Sequence, residues 1–164
     1  MREFYRQIVA THPDGVPEGR DKQLLWPLLT PRLIAVLENT RACERDYFRK
    51  HPDPNSKAGF WWSEQGLFSG SEEESAPAEV KQITTRSIAP RHFHVTVEFT
   101  YKDTFETYGR PPDPNAHFSW RGVVTVDCSS GRCLIDDFTH SDWHHPMSQM
   151  IASECRGGLW IGRR

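Results

Sequence analysis

HFHVTVEFTY, residues 92–101, alternates apolar and polar side chains with a period of two. Because successive strand residues point to opposite faces, this period predicts a β-strand with one buried face and one solvated face. The pattern returns in HFSWRGVVTVDC, residues 117–128, and CLIDDF, residues 133–138, is predicted to pair back on that strand. The segment 80–88 is a further strand candidate. The second half of the chain is therefore predicted to form an antiparallel sheet.

The first half of the chain has helical periodicity instead. Residues 2–11 are predicted to form a short amphipathic helix, and Thr30 followed by Pro31 predicts the start of a longer one. Between them, Asp21 is a candidate cap for a further helix, which Pro27 is predicted to kink or divide. Helices followed by an antiparallel sheet favour an α+β fold, in which the helices pack on one face of a curved sheet.

The size and charge of the chain limit the kinds of protein to which it can belong. Its 164 residues fit a single domain, 1–164, with a core over about 3–138 and a C-terminal extension over 139–164. The formal net charge of −2 gives no basic face, which argues against a nucleic-acid partner. No apolar run approaches the ~20 residues of a transmembrane helix. The start carries no signal peptide, so we expect either a cytoplasmic protein or one whose export signal has been removed.

The cysteines bear on the choice of compartment. Cys128 and Cys133 flank a four-residue turn and would lie opposite each other in a hairpin, which predicts a structural disulfide that fixes the hairpin register. A redox motif usually has two residues between its cysteines, and a zinc site needs a second ligand pair. Cys43 and Cys155 leave an even count, which permits their pairing but does not show it. A disulfide favours an oxidising compartment.

Three short motifs carry a family resemblance: Phe4-Tyr5 in the first helix, Asp46-Tyr47-Phe48 ending the long helix, and Leu134-Ile135-Asp136-Asp137-Phe138 in the closing strand. With this order of elements, residues 3–138 resemble the cone-shaped fold of nuclear transport factor 2 and the cystatin-like proteins. Within that group the chain is similar to a bacterial family of unknown function, whose members are often exported or lipid-anchored. The resemblance implies a periplasmic or lipid-anchored location and transfers no catalytic motif. The wider fold includes isomerases, dehydratases, ligand binders and toxin-neutralising immunity proteins, so it does not select a function.

THSDWHH, residues 139–145, combines potential metal ligands with an aromatic side chain. His92 and His94 share a predicted strand face, but no spacing matches a known zinc motif, so no metal site is predicted. A tryptophan among His, Asp and Ser is also typical of a protein interface. For Trp143 the alternative is packing back onto the sheet. The candidate partner or pocket contacts are Trp61, Trp62, Asp137, His140, Asp142, Trp143 and His144.

Three functional hypotheses follow. The sequence contains no nucleophile elbow, P-loop or dinucleotide fingerprint, which favours a non-enzymatic protein without catalytic residues or a cofactor. The leading hypothesis is a binding domain of the bacterial cell envelope, in its sharpest form an immunity-type protein that neutralises a secreted toxin. The acidic segment 72–74 would complement a basic partner, although solvation alone explains it equally well. The alternative is a small-molecule-binding protein or enzyme that uses the cone-shaped pocket, with Asp136 or Asp137 as the base. Adjacent strand residues point to opposite faces, so the two carboxylates are not expected to act together. A homodimer formed through the exposed sheet face is the third hypothesis.

Overall fold

The computed structural model describes residues 1–52, 60–63, 66–71, 77, 79–102, 117–140 and 144–162. Three helices precede a four-stranded antiparallel sheet of order β1-β2-β3-β4, and a fourth helix with a small hairpin follows it, which confirms the α+β class. The elements are α1 (Arg2–Thr11), α2 (Gly19–Leu25), α3 (Pro31–Lys50), β1 (Glu79–Ala89), β2 (His92–Lys102), β3 (His117–Asp127), β4 (Leu134–His140), α4 (Met147–Glu154), β5 (Cys155–Arg156) and β6 (Leu159–Trp160).

The helix boundaries follow the sequence signals closely, with one exception. The side chain of Thr30 accepts a hydrogen bond from the backbone N–H of Leu33 at 3.1 Å, and α3 begins at the next residue, as predicted. The apolar segment around Pro27 forms two short pieces, α2 and a 3₁₀ turn, also as predicted. The predicted cap at Asp21 is wrong: α2 begins at Gly19, so Asp21 lies inside its first turn, where a carboxylate favours the helix dipole.

The sheet has the alternation that the period of two predicts. On β2, Val95, Val97 and Phe99 are buried and face the helices, and the intervening side chains face away from them. Gly122 of β3 pairs with Val97 on this inner face, where a Cβ atom would lie 2.3 Å from the ring of Phe138. The missing side chain at Gly122 therefore leaves room for a buried aromatic ring of β4.

The core lies between the inner face of the sheet and helices α1 and α3. Leu33 and Leu37 of α3, Phe138 of β4 and Trp62 are completely buried. Each such side chain contributes about 1.5–3 kcal/mol relative to an exposed position. Met147 of α4 belongs to the same buried cluster, so residues beyond 138 also contribute to the core.

The C-terminal extension docks on α3. It forms α4 and the two-stranded β5–β6 hairpin, and not an additional strand of the main sheet. A disulfide joins Cys43 of α3 to Cys155 of β5, and we call it the tail disulfide. The carboxylate of Asp46 accepts hydrogen bonds from the backbone N–H of Trp160 at 3.1 Å and from Nζ of Lys50 at 2.7 Å. These bonds lower the pKa of Asp46, the largest effect coming from Lys50.

The predicted hairpin disulfide joins Cys128 to Cys133, with their Cα atoms 4.0 Å apart, where β3 turns into β4. The pairing of Cys43 with Cys155, which the sequence left open, uses the other two cysteines, so no free cysteine remains in the described chain. Two disulfides in a chain of this size are typical of proteins from oxidising compartments. Within the described residues, no helix is both long enough and apolar enough to cross a membrane.

Candidate functional site

A cavity of about 610 Å³ lies between α1 and the first half of β1, and we call it the α1–β1 cavity. Its volume falls within the ~300–1,000 Å³ that is usual for small-molecule sites. Among the described residues, ten line it: Arg2, Tyr5, Arg6, Val9, Ala10, Glu79, Val80, Lys81, Gln82 and Ile83.

The cavity arises because α1 covers the edge strand β1 only in part. In the described sheet β1 has a neighbour on one side only, and most of its residues are exposed. Val80 and Ile83 are the two half-buried apolar positions of β1, and Val9 is a half-buried position of α1. These three side chains keep apolar surface that neither the helix nor the strand buries completely. Such a surface is suited to an apolar ligand group.

Tyr5 lies in the wall of the cavity and is the most unusual residue there. Its ring packs edge-on against Phe4, at 5.1 Å between ring centroids, and against Phe99, at 5.3 Å. Tyr5 is 1% exposed, and its hydroxyl has no hydrogen-bond partner among the described residues. Burial raises the pKa of Tyr5 well above its ordinary value, so the hydroxyl keeps its proton and remains a hydrogen-bond donor. An unsatisfied buried hydroxyl costs about 1–3 kcal/mol, which is unusual enough to require an explanation.

The charged side chains of the cavity are mainly basic. Arg6 is held by Glu3 of its own helix, with 2.7 Å between Nη2 and Oε1. The same hydrogen bond lowers the pKa of Glu3. Nζ of Lys81 lies 3.6 Å from the carboxylate of Glu98. Arg2 makes no hydrogen bond or ion pair within the described structure. The α1–β1 cavity therefore combines apolar walls with a basic rim.

Few of the described residues that line this cavity can exchange a proton. Glu79 is the only carboxylate among its described lining residues, which contain no histidine, cysteine, serine or threonine. General acid–base catalysis needs a titratable group that can exchange a proton near neutral pH. The buried, protonated Tyr5 does not meet this condition.

The carboxylates of β4 lie elsewhere and have a structural role. Oδ1 of Asp136 accepts from the Thr30 hydroxyl at 2.7 Å and from Nε of Arg32 at 2.9 Å. Oδ2 of Asp137 accepts from Nη2 of the same arginine at 3.1 Å, and the Ser148 hydroxyl also donates to it. These bonds raise the pKa of Arg32, and the bond to Asp136 has the largest effect. We call these residues the α3–β4 clamp, because they attach the start of α3 to β4.

The clamp corrects the expectation that adjacent strand residues keep these carboxylates apart. Thr125 pairs with Asp137, but the next residue, Val126, pairs with Ile135, so Asp136 is the extra residue of a β-bulge. A bulge interrupts the alternation of side chains. Both carboxylates consequently contact one guanidinium group, and neither lines the α1–β1 cavity.

A second cleft, of about 650 Å³, lies between the loop after α1 and helix α3. Arg41 in this cleft is already paired with Glu18 and also donates to the carbonyl of Val16. Glu44 accepts a hydrogen bond from Nε1 of Trp62 at 2.7 Å. Burial raises the pKa of Glu44, and that hydrogen bond opposes the increase. The central charges of this cleft are satisfied within the protein, which makes it a weaker candidate than the α1–β1 cavity.

The two predicted tryptophan contacts differ in burial. Trp62 is completely buried, stacks on Phe60 at 4.7 Å between ring centroids, and belongs to the core. Trp61 is half-buried and lies edge-on to Trp62. Neither lines the α1–β1 cavity.

The predicted histidine contacts do not come together. His140 is 9% exposed on the inner face of β4 and packs so closely on Gly70 that a Cβ there would lie 2.2 Å from its ring. His94 is exposed on the opposite face of the sheet, and His144 is exposed beyond β4. Among the residues that the structure describes, no group of three or more His, Cys, Asp or Glu side chains is placed to hold a metal ion. Asp142, Trp143 and the acidic segment 72–74 lie outside the described residues.

Sequence reasoning missed the cavity. Tyr5 was noticed only as part of a motif, and Arg2 and Lys81 were not singled out. The available signal was a tyrosine on the buried face of a short helix, because a buried tyrosine usually finds a hydrogen-bond partner. A second signal was the spacing of Val80 and Ile83, which do not fit a strict period of two because a bulge follows Val80.

Comparison with known proteins adds no relative: no protein-family model, curated protein or solved structure matches the chain.

Proposed function

We propose that this protein is a non-enzymatic binding domain of the bacterial cell envelope and that its ligand site is the α1–β1 cavity. The observation that carries the proposal is the α1–β1 cavity of about 610 Å³, in which Val9, Val80 and Ile83 keep half-buried apolar surface. A ligand with an apolar part would bury the apolar surface of Val9, Val80 and Ile83.

The location in the envelope is part of the proposal. The tail disulfide and the hairpin disulfide support it, since such bonds persist in the periplasm and are rare in the cytosol. We also propose that the chain has the cone-shaped fold of nuclear transport factor 2 and that it belongs to the exported bacterial family. Phe4 and Tyr5 of α1 and Ile135 and Phe138 of β4 are buried, which is compatible with this fold and this family.

Neutralisation of a secreted toxin is a narrower form of this proposal. The residues that would carry it, Asp142, Trp143 and the segment 72–74, lie outside the described residues, whereas the lining residues of the α1–β1 cavity lie within them. Homodimerisation through the outer face of the sheet is an independent proposal, which sedimentation at several protein concentrations tests.

The cavity is tested with N-phenylnaphthylamine, a neutral probe whose fluorescence increases in apolar surroundings. Ala10 is exposed on α1 and lines the cavity, so Ala10→Trp should block the site without disturbing the core. The matched control is Ala152→Trp, on the exposed side of α4. We expect the wild type and Ala152→Trp to bind the probe alike and Ala10→Trp to bind it at least about tenfold more weakly, a change of about 1.4 kcal/mol. Equal binding by all three proteins would refute the cavity as the ligand site.

A further inference from the structure

We propose that the ligand of the α1–β1 cavity is an amphipathic anion, whose apolar body lies against Val9, Val80 and Ile83 and whose acidic group lies beside Arg2 and Lys81. The acidic group is a carboxylate, sulfonate or phosphate. This deepens the proposed function and rests on it, because it specifies the chemical class of the ligand at the same site.

The charge of the cavity differs in sign from that of the whole chain. Three of the ten described lining residues are cationic and one is anionic, whereas the complete chain has 20 Lys and Arg against 22 Asp and Glu. A local excess of cations in a protein of net charge −2 does not follow from its composition. A concave site with one sign of charge raises the local concentration of ligands of the opposite sign.

The basic side chains at the rim are also available. Arg2 makes no hydrogen bond or ion pair with the described residues. Lys81 is 63% exposed and lies 3.6 Å from Glu98, which has a closer partner in Arg121 at 2.9 Å. An exposed pair at the longer distance contributes little, so Lys81 can change partner at small cost. Arg6 is different, because its guanidinium is 2.7 Å from Glu3 and is already engaged.

The separation of apolar walls from a basic rim selects the ligand class. A sugar or another uniformly polar molecule would bury its polar groups against Val9, Val80 and Ile83 without partners, which is costly. A wholly apolar molecule would gain nothing from the charges of Arg2 and Lys81. A molecule with one apolar end and one acidic end satisfies both parts of the cavity.

Two fluorescent probes that share one apolar body test this assignment. Anilinonaphthalene sulfonate carries a sulfonate that N-phenylnaphthylamine lacks. Both are titrated into the wild type, into the double variant Arg2→Gln with Lys81→Gln, and into the control double variant Arg20→Gln with Arg156→Gln. The two control arginines are exposed, lie outside the cavity and have no ion pair in the described structure. The control therefore removes the same net charge at a distance from the site.

We expect the wild type and the control to bind the sulfonate probe about tenfold more tightly than the neutral probe. This preference corresponds to two exposed ion pairs, with Arg2 and Lys81, each near the upper end of the strength usual for exposed pairs. The Arg2→Gln, Lys81→Gln variant should bind both probes equally, and the wild-type preference should decrease as salt is raised. Equal binding of both probes by the wild type, or a preference that the cavity variant retains, would overturn the assignment of an anion and leave the proposed function intact. Binding of neither probe, or binding that persists in Ala10→Trp, would instead refute the proposed function and this assignment with it.

Discussion

Replacing Tyr5 with phenylalanine should stabilise the unliganded protein. The substitution removes a hydroxyl that is buried without a partner and keeps the ring, which contacts Phe4 and Phe99 at 5.1 and 5.3 Å between centroids. Since an unsatisfied buried hydroxyl costs about 1–3 kcal/mol, we expect the free energy of unfolding to increase by about that amount. For a domain of this size, the melting temperature should increase by about 2–4 °C per kcal/mol.

The same substitution should change the pH dependence of stability. Burial raises the pKa of Tyr5 in the folded protein well above its ordinary value. As the pH rises through about 10, the unfolded chain loses the phenolic proton while the folded protein keeps it. The unfolded state then binds fewer protons, so the stability of the wild type decreases with pH. Tyr5→Phe lacks this contribution, and its advantage over the wild type should increase above about pH 10.

Urea unfolding at neutral pH and at about pH 11 measures both effects, provided that the m-value is unchanged. The control is a hydroxyl that has partners. Thr30 donates to Asp136 at 2.7 Å and accepts from the N–H of Leu33 at 3.1 Å, so Thr30→Val should lose about 0.5–2 kcal/mol. If Tyr5→Phe lost stability as Thr30→Val does, the Tyr5 hydroxyl would have a partner in solution. The stabilisation expected from removing an unsatisfied hydroxyl would then be wrong.

Three further predictions concern the stability of the fold and are tested by urea unfolding. Replacing both cysteines of the tail disulfide with alanine should lower the free energy of unfolding by about 5 kcal/mol, and the same change at the hairpin disulfide by about 2 kcal/mol. The difference arises because the closed loops differ in length, at sequence separations of 112 and 5. Equal losses would contradict this loop-length argument. Gly122→Ala should cost about 1–3 kcal/mol, because its Cβ would lie 2.3 Å from the Phe138 ring, and the cost should decrease in a Phe138→Leu background. Arg32→Met should lower the free energy of unfolding by about 1–3 kcal/mol, towards the lower end because the guanidinium is half exposed. An unchanged free energy of unfolding would show that the α3–β4 clamp is not stabilising.

The elements predicted best are those fixed by local physics. The N-cap at Thr30 and the proline after it determine where α3 begins, whatever packs on the helix. The alternation in residues 92–101 determines which face of β2 is buried, because one face must be apolar to form a core. The turn between Cys128 and Cys133 places their side chains together through the hairpin itself. In each case the information lies within a few residues.

The features that were missed depend on contacts between distant segments. The bulge at Asp136 changes the face of a single residue, and it occurs where Thr30 and Arg32 approach β4 from more than a hundred positions away in the chain. Helix α4 was not predicted, although Met147 and Ile151 are buried against the rest of the core. The cavity is harder still to predict, because it results from an incomplete contact between α1 and β1, and a missing contact leaves no periodicity in the sequence.

The positions of the disulfides suggest how ligand binding should affect the fold. The tail disulfide fixes the extension to α3, and the hairpin disulfide fixes the turn between β3 and β4. Neither involves α1 or β1, so the two walls of the α1–β1 cavity are held by non-covalent contacts alone. A ligand that contacts both walls would bind the folded state and not the unfolded chain, and at a hundred times its dissociation constant it would add about 2.7 kcal/mol of stability. Hydrogen exchange should show that gain as slower opening of α1 and β1 in particular, whereas a ligand bound at the cleft beside α3 would slow exchange there instead.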